Sequence, residues 1–366
     1  MGTISFSPVT SIMENKPAGT VITGSPGKGK TYFMLNLFSN ALMMNQIVIG
    51  IDPKNDFTIL KKKFPFIRIT DVNKIAPGSL DPFRVFKDID SVTLLSIIEC
   101  MTGGLTQRQL LAITPIVEDF VVFYAKDEDS RNFMALTNYL YANKSEASQE
   151  VGNMLRMHMS SKYGPLIFAK YHGNGDGEYE DLNINGHSQI ISLLGMPLPK
   201  VGKKLKIEQK FTSAIVFIIC KILSNILATK SKIPRILFMD ESHIAMANEA
   251  FQDIIDEILV LGRSLNVCTV LASQNISHIP EEFDTQIANK FSFAMSVKEC
   301  KEFFKRYSTT EESGSDLDEI IVTAKMSKQG QGEAYFIDNE NRSGFIKIKS
   351  GLDLTSNPLF REEIVY

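Results

Sequence analysis

The residues best suited to chemistry form a glycine-rich stretch near the start of the sequence. From Val21 to Leu35 the chain reads VITGSPGKGKTYFML, which contains Gly24-x-x-x-x-Gly29-Lys30-Thr31. Such glycines let the backbone approach a phosphate chain, while the lysine reaches the β- and γ-phosphates and the threonine hydroxyl binds Mg²⁺. An apolar strand pattern precedes the stretch and a helical pattern follows it, which favours a nucleotide-binding loop over a chance match in a glycine-rich turn. The residues predicted to contact the nucleotide are Gly24, Ser25, Pro26, Gly27, Lys28, Gly29, Lys30, Thr31 and Tyr32.

A pair of acids follows a second apolar run, RILFMDES at 235–242. A buried strand here would deliver Asp240 beside the phosphate loop, where it is expected to bind Mg²⁺ together with Thr31, directly or through water. Glu241 follows at once and can polarise an attacking water as a general base. The alternative is a strand that ends in ordinary solvated acids. The pair argues against a switch GTPase or a small kinase, and it implies a strand between the loop strand and the Asp240 strand.

Two further residues are candidates for catalysis. Gln274 ends the apolar run VCTVLASQ, where its amide can contact the γ-phosphate and the attacking water; the alternative is a polar strand terminus. Arg263, in LGRSLNV, can complete the site of a neighbouring subunit or can pair structurally at the sheet edge, and the sequence does not separate these roles. Other basic residues that could act across an interface are Lys325, Lys328 and Arg342.

Several polar residues have weaker signals. Asp52 and Asp56 in IDPKNDF would lie at the carboxyl edge of the sheet, where they can bind ligand or simply form a turn. The basic run KVGKKLK at 200–206 is a weak nucleic-acid signal and is more typical of a solvated loop. His158, His172, His187, His243 and His278 lack metal-ligand spacing, so ordinary surface or core positions are expected.

Composition limits the class of protein. The 366 residues are 44% hydrophobic, with 39 basic and 42 acidic residues and a formal net charge of −3. This balance argues against nucleic-acid binding by overall charge.

The four cysteines form no Cys-x-x-Cys pair, so we expect buried free thiols in a reducing compartment. No signal peptide is predicted, and the apolar segment 211–228 is expected to be a buried helix rather than a membrane span. The protein is expected to be cytoplasmic.

Apolar runs that alternate with helical patterns predict the fold class. The strands are expected at 20–24, 47–52, 66–70, 235–241, 268–274, 290–296 and 332–338, with 343–349 as a hairpin partner of the last. Helices are expected from Lys30 to about Met44 and from Glu249 to Leu265. Near-continuous apolar strands separated by helices are typical of an α/β fold with a mostly parallel sheet covered on both faces. Segments 91–101, 106–125, 130–143 and 146–161 have helical periodicity and predict an all-helical insertion, which the turn-rich stretch 171–188 ends.

In this order the motifs are similar to those of the C-terminal motor domain of the VirB4/TraC ATPases of type IV secretion and conjugation systems. The segments that carry the resemblance are GSPGKGKT (24–31), IDPKNDF (51–57), LDPF (80–83), KYGPLIF (162–168), ILFMDESH (236–243), LGRSLNV (261–267) and ASQN (272–275). The resemblance covers nearly the whole chain. It implies a RecA-like P-loop motor domain at 1–90 and 163–366 and an all-helical insertion subdomain at 91–162.

The resemblance further implies an ATPase that uses ATP and Mg²⁺ to energise substrate transfer or pilus assembly. Its partners would be other type IV secretion components at the cytoplasmic face of the inner membrane. Such motors commonly work as hexamers with nucleotide at subunit interfaces. Family members carry a sizeable N-terminal domain, so we expect an excised motor domain. Asn55-Asp56 replaces the usual Gly-Glu, which weakens a catalytic role for Asp56, and Pro26 and Lys28 stand where Gly or Ser-Gly is common.

Three alternatives stay open at this point. A coupling protein or an FtsK/HerA-like DNA translocase would share the phosphate loop, the acid pair and Gln274, although a coupling protein usually has N-terminal membrane spans. A filamentous-phage assembly ATPase would carry a membrane span after the motor. A nucleotide-binding structural subunit without turnover is a different class, and Glu241 argues against it.

Overall fold

One large sheet with helices on both faces makes up the fold. The computed structural model describes residues 6–123, 131–171, 179–180, 182–199, 204–247, 249–308 and 316–349. The strands in these ranges are β1 Gly19–Thr23, β2 Ile47–Asp52, β3 Arg68–Asp71, β4 Gln189–Ser192, β5 Arg235–Met239, β6 Val267–Ser273, β7 Ile287–Phe293, β8 Glu333–Ile337 and β9 Ser343–Lys347.

Thirteen α-helices lie within the same described ranges. They are α1 Pro8–Met13, α2 Lys30–Met43, α3 Leu60–Lys63, α4 Pro82–Val85, α5 Ser91–Thr102, α6 Gln107–Phe123, α7 Phe133–Ala142, α8 Glu146–Met159, α9 Pro165–Phe168, α10 Ile207–Leu227, α11 Glu249–Leu265, α12 Val297–Tyr307 and α13 Asp316–Ser327. Short 3₁₀ helices cover Ser242–Ala247, Ile276–His278 and Glu281–Gln286.

The strand order brings the candidate residues to one edge. It runs β3-β4-β2-β5-β6-β1-β7-β8-β9. The first seven strands are parallel, whereas β8 is antiparallel to β7 and β9 to β8. The predicted mostly parallel sheet is therefore confirmed, and β6 lies between β1 and β5 as the acid pair implied. Because parallel strands end at the same edge, the segments after β2, β5, β6 and β1 are neighbours there.

The core lies on both faces of the sheet. In β5, Leu237 and Met239 join the hydrophobic cluster on one face, and Ile236 and Phe238 join the cluster on the other. Alternate side chains point to opposite faces of a strand, so a strand covered on both faces is apolar throughout. This explains the continuous apolar runs in the sequence. The four cysteines are all buried and unpaired.

Helices α5–α8 confirm the helical character of the segment after residue 90. They share one hydrophobic cluster with α10 and one face of the sheet. Helix α10 is the one helix in the described part of the chain that is long and apolar enough to cross a membrane, but it is mostly buried. It packs against α5 and α11, as expected for a core helix. The division into a motor domain and an insertion remains a proposal.

The structure differs from the sequence prediction in several places, of which three bear on the sheet and the helices beside it. The four-residue strand β4 was not predicted, because a run this short beside many turn formers has no usable periodicity. Strand β7 lies three residues earlier than the predicted 290–296, since Ser296 caps α12 and forms a capping box with Glu299. Helices α12 and α13 were not predicted either. The predicted helices at 106–125 and 130–143 extend in part outside the described residues.

Candidate nucleotide-binding site

The glycine-rich loop connects β1 to α2. Gly24 has φ 152° and Gly29 has φ 107°, both in a region that favours glycine. A Cβ atom on Gly24 would lie 2.6 Å from Cβ of Phe293, so the loop passes too close to β7 for any other residue. The N–H of Ser25 donates to the carbonyl oxygen of Ala294 at 3.0 Å. Residues after β7 therefore fix the start of the loop.

Lys30 is the buried cation of this loop. Its Nζ donates to the carbonyl oxygen of Gly24 and, at 3.2 Å, to that of Ser25. Burial lowers the pKa of Lys30, although the nearby carboxylates of Glu241 and Asp240 act in the opposite direction. Phosphate oxygens are stronger acceptors than these carbonyls and would suit a desolvated ammonium group. Thr31 and Tyr32 follow in the first turn of α2, where the helix N-terminus favours an anion.

Asp240 directly follows β5 and is suited to a cation. Its side chain is buried, and Oδ1 accepts a hydrogen bond from the N–H of Glu241 at 3.0 Å. The other oxygen, Oδ2, is buried and accepts no hydrogen bond from the described residues. Burial first, and then the charge of Glu241, raises the pKa of Asp240 to about 7. A buried carboxylate oxygen without a partner fits a Mg²⁺ ligand, because bound Mg²⁺ would replace the missing donor and favour the ionised form.

Glu241 is held in place by three side chains. It has φ 50°, which is uncommon for a residue other than glycine and is found at strained functional sites. Its carboxylate pairs with Nζ of Lys54, accepts bonds from Nε2 of Gln274 at 3.1 and 3.3 Å, and lies 3.1 Å from Nδ1 of His243. Burial alone would raise the pKa of Glu241, but these neighbours together lower it to about 2. The carboxylate is therefore ionised, and the contacts that hold it oppose its protonation.

Sequence reasoning missed Lys54 and His243 as neighbours of Glu241. Lys54 comes from the turn after β2, and β2 pairs in parallel with β5, so the two segments meet beyond the ends of these strands. His243 was expected to be an ordinary histidine, but it lies beside Glu241, and its ring is 5.3 Å from that of His278. The only signal for Lys54 was its place in the IDPKNDF motif.

Asp52 has a structural role in the turn after β2. Its side chain is fully buried, and its two oxygens accept hydrogen bonds from the N–H groups of Asp56 at 3.0 Å and Phe57 at 2.7 Å. Burial raises the pKa of Asp52 to about 6. The geometry supports the turn interpretation of this aspartate, whose oxygens are used within the turn itself.

Arg263 lies away from this edge in its own chain. It is in the last turn of α11, which leads into the start of β6, whereas Gln274 follows the end of β6. Its Nη1 donates to the carbonyl oxygen of Asn15 at 3.3 Å. The structure thus does not bring Arg263 together with Lys30 and Glu241, and a catalytic role would require a neighbouring subunit.

The other basic candidates lie near the β8–β9 hairpin. Arg342 pairs with Asp338 at 2.7 Å and with Glu340 at 3.0 Å, so local acids neutralise its charge. The Lys325 ammonium lies 4.2 Å from the centre of the Phe345 ring. Lys328 is exposed in the segment that leads to Gly332, whose N–H donates to the carbonyl oxygen of Lys28 at 3.3 Å. This segment approaches the phosphate loop.

The described histidines among the remaining candidates, His158 and His187, do not contact the residues of the site. His158 is buried and stacks on Phe211, as expected for a core histidine, and His187 is exposed. His172 and residues 200–203 of the basic run lie outside the described residues.

The fold and the site together define a class of protein. A phosphate loop follows β1, two acids follow β5, and β6, which Gln274 follows, lies between these two strands. This arrangement is that of a P-loop NTPase with an additional strand between the loop strand and the acid strand. The chain belongs to the AAA-like domain family, whose sequence profile matches residues 9–355.

Similar proteins agree with this class. The uncharacterized protein YddE of Bacillus subtilis (strain 168) is 21% identical over 306 residues, which are 77% of this chain and 36% of the relative. The chain thus spans about a third of that protein. The structure of VirB4 of Thermoanaerobacter pseudethanolicus matches with a TM-score of 0.72 at 13% identity and covers 96% of this chain and 94% of its own. The plasmid coupling protein TrwB, in complex with a non-hydrolysable ATP analogue, matches with a TM-score of 0.60 at 13% identity, over 94% and 86%. These structural matches bear out the predicted fold.

Proposed function

We propose that this chain is an ATP-hydrolysing motor domain that energises substrate transfer or pilus assembly in a conjugative type IV secretion system. The observation that carries the proposal is the ionised, buried Glu241 beside Asp240, which shares one edge of the sheet with the Lys30 loop. A structural subunit that only binds nucleotide does not require a buried proton acceptor at this place.

Each of the described residues has its own role in the proposed reaction. Lys30 and the N-terminus of α2 bind the β- and γ-phosphates of ATP. Thr31 and Asp240 hold Mg²⁺, which when bound neutralises charge on the phosphates. Glu241 accepts a proton from the attacking water, and Gln274, which donates to both Glu241 oxygens, orients that water toward the γ-phosphate.

The likeness to VirB4 over almost the full chain supports the secretion role. On this proposal the domain is part of a longer protein, and it works at the cytoplasmic face of the inner membrane with other secretion components. It acts as a homohexamer in which nucleotide lies between subunits. The position of Arg263, away from its own phosphate loop, supports a site that a neighbour completes.

Arg263 provides a test of such shared sites. The Arg263→Ala variant is expected to hydrolyse ATP roughly 100- to 1,000-fold more slowly, because a cation that stabilises the transition state is lost. Mixing it with Lys30→Ala, which keeps Arg263 but cannot bind phosphate normally, is expected to restore activity above that of either variant alone. Phosphate release at several mixing ratios measures this.

An exposed arginine elsewhere serves as the control for this experiment. Arg108 on α6 pairs with Glu146 at 2.6 Å and lies in the helical segment, so Arg108→Ala should leave the rate unchanged. If no mixture of the Arg263 and Lys30 variants exceeds the separate variants, Arg263 has a structural role instead.

The alternative function is that of a DNA-translocating ATPase. The likeness to the coupling protein TrwB supports this alternative. On the secretion proposal, double-stranded DNA leaves the rate of ATP hydrolysis unchanged. Strong stimulation by DNA that is lost in the Lys204→Ala, Lys206→Ala variant would instead support the translocase. The rate of phosphate release with and without DNA distinguishes the two functions.

A further inference from the structure

Lys54 lies on a rigid turn at the edge of the candidate site. The Asp52 carboxylate holds the turn through the N–H groups of Asp56 and Phe57. Asn55 in the same turn has φ 68°, and its Oδ1 accepts a hydrogen bond from Oγ of Ser192 at 3.2 Å. The backbone of Lys54 is thus fixed to β2 and β4, while its side chain is half exposed and carries four rotatable bonds.

The Lys54 ammonium pairs with Oε1 of Glu241. Glu241 is almost completely buried and is also held by Gln274 and His243, so the loss of Lys54 would leave the carboxylate with two partners. Burial lowers the pKa of Lys54, but the contact with Glu241 outweighs it and the pKa is raised, so Lys54 is a cation. The half-exposed Lys54 side chain regains water when it leaves Glu241, and the buried carboxylate keeps Gln274 as a hydrogen-bond donor, so Lys54 can leave only for another strong acceptor.

The charge of Lys54 also acts on Lys30 of the phosphate loop. Among the influences on the pKa of Lys30, the positive charge of Lys54 is one that lowers it, after burial and the two acids. The charges of Asp240 and Asp56 also raise the pKa of Lys54. Two lysines from opposite sides of β5 and β6 therefore act on the same region. A γ-phosphate bound by Lys30 would offer Lys54 a more highly charged acceptor than the single carboxylate of Glu241.

We propose that Lys54 senses the γ-phosphate by exchanging between the Glu241 carboxylate and the γ-phosphate of a bound nucleoside triphosphate. The inference rests on the proposed function, since it needs a triphosphate on the Lys30 loop. When Lys54 moves to the γ-phosphate, Oε1 of Glu241 becomes free for the attacking water. A diphosphate gives Lys54 no such acceptor and leaves it on Glu241. Lys54 thus couples the presence of the γ-phosphate to the release of the general base.

Equilibrium binding of ADP and of a non-hydrolysable ATP analogue to the full chain tests this proposal. In Lys54→Ala the affinity for the analogue is expected to fall about tenfold, the value of one charge-assisted contact, while the affinity for ADP stays the same. Lys54→Arg is expected to retain most of the preference for the analogue. Equal losses for both nucleotides, or no loss for either, would overturn the proposal.

Three further variants test the competition for Lys54 and provide a control. Glu241→Gln removes the charge that competes for Lys54, so it is expected to bind the analogue more tightly, and this gain should vanish in the Lys54→Ala, Glu241→Gln double variant. Lys62, exposed on α3, is the charge-matched control, and Lys62→Ala should change neither affinity.

If the unmodified protein binds neither nucleotide, the proposed function fails. If it binds both nucleotides and hydrolyses ATP but the affinities of the Lys54 variant are unchanged, only this inference fails.

Discussion

Glu241→Gln is expected to lower the rate of ATP hydrolysis about 1,000-fold, while ATP binds at least as tightly as to the unmodified protein. Glutamine has the size of glutamate, so it can keep the contact with Gln274 and the unusual backbone at this position. It cannot accept the proton of the attacking water. The phosphate loop and Asp240, which bind the nucleotide and its cation, are unchanged. Steady-state phosphate release and equilibrium nucleotide binding on the same preparation measure the two effects.

An acid on the protein surface provides the control. Glu302 on α12 is partly exposed and lies 3.9 Å from the Lys298 ammonium, and Glu302→Gln removes the same charge without a change at the site. Turnover of the Glu241 variant equal to that of the unmodified protein would refute the general-base assignment.

Lys30→Ala is expected to abolish hydrolysis, with a loss of at least about 1,000-fold. The physical reason is the position of the ammonium group, which is buried inside the loop and bonded to the carbonyl oxygens of Gly24 and Ser25. No other described cation lies inside the loop in this way. Without it the loop loses both its charge and its internal bonds, so nucleotide affinity should fall together with the rate. Nucleotide binding and phosphate release measure these losses.

Lys28 offers a comparison within the same loop. Its side chain is exposed, and only its carbonyl oxygen has a contact of note, with the N–H of Gly332. Lys28→Ala should therefore have a much smaller effect than Lys30→Ala. Equal effects of the two substitutions would mean that the loop responds to total charge rather than to the buried ammonium. A thermal unfolding curve for each variant checks that the fold is kept.

The sequence was sufficient to predict the positions of the candidate residues that directly follow a strand. The loop from Gly24 to Thr31 has fixed spacing, and Asp240, Glu241 and Gln274 each end an apolar run, so local pattern alone located them. The strand between β1 and β5 also followed from the acid pair. These features depend on short-range order, which sequence periodicity reports well.

The contacts around Glu241 could not be predicted in the same way. Lys54 and Glu241 are 187 positions apart, and they meet only because β2 pairs with β5 in a particular register. Strand β4, which anchors the Lys54 turn through Ser192, was itself missed. Asp52 also required the structure, since a strand-ending aspartate can bind a ligand or cap a turn until its hydrogen bonds are seen.

On the proposed function, the residues around Glu241 hydrolyse ATP in an assembled motor. The most direct test is Mg²⁺-dependent phosphate release by the unmodified chain over a range of protein concentrations, with Glu241→Gln as the blank. We expect phosphate release far above that of the blank. The rate per molecule should rise steeply with protein concentration as subunits assemble. Release no greater than that of the Glu241 variant at every concentration would contradict it.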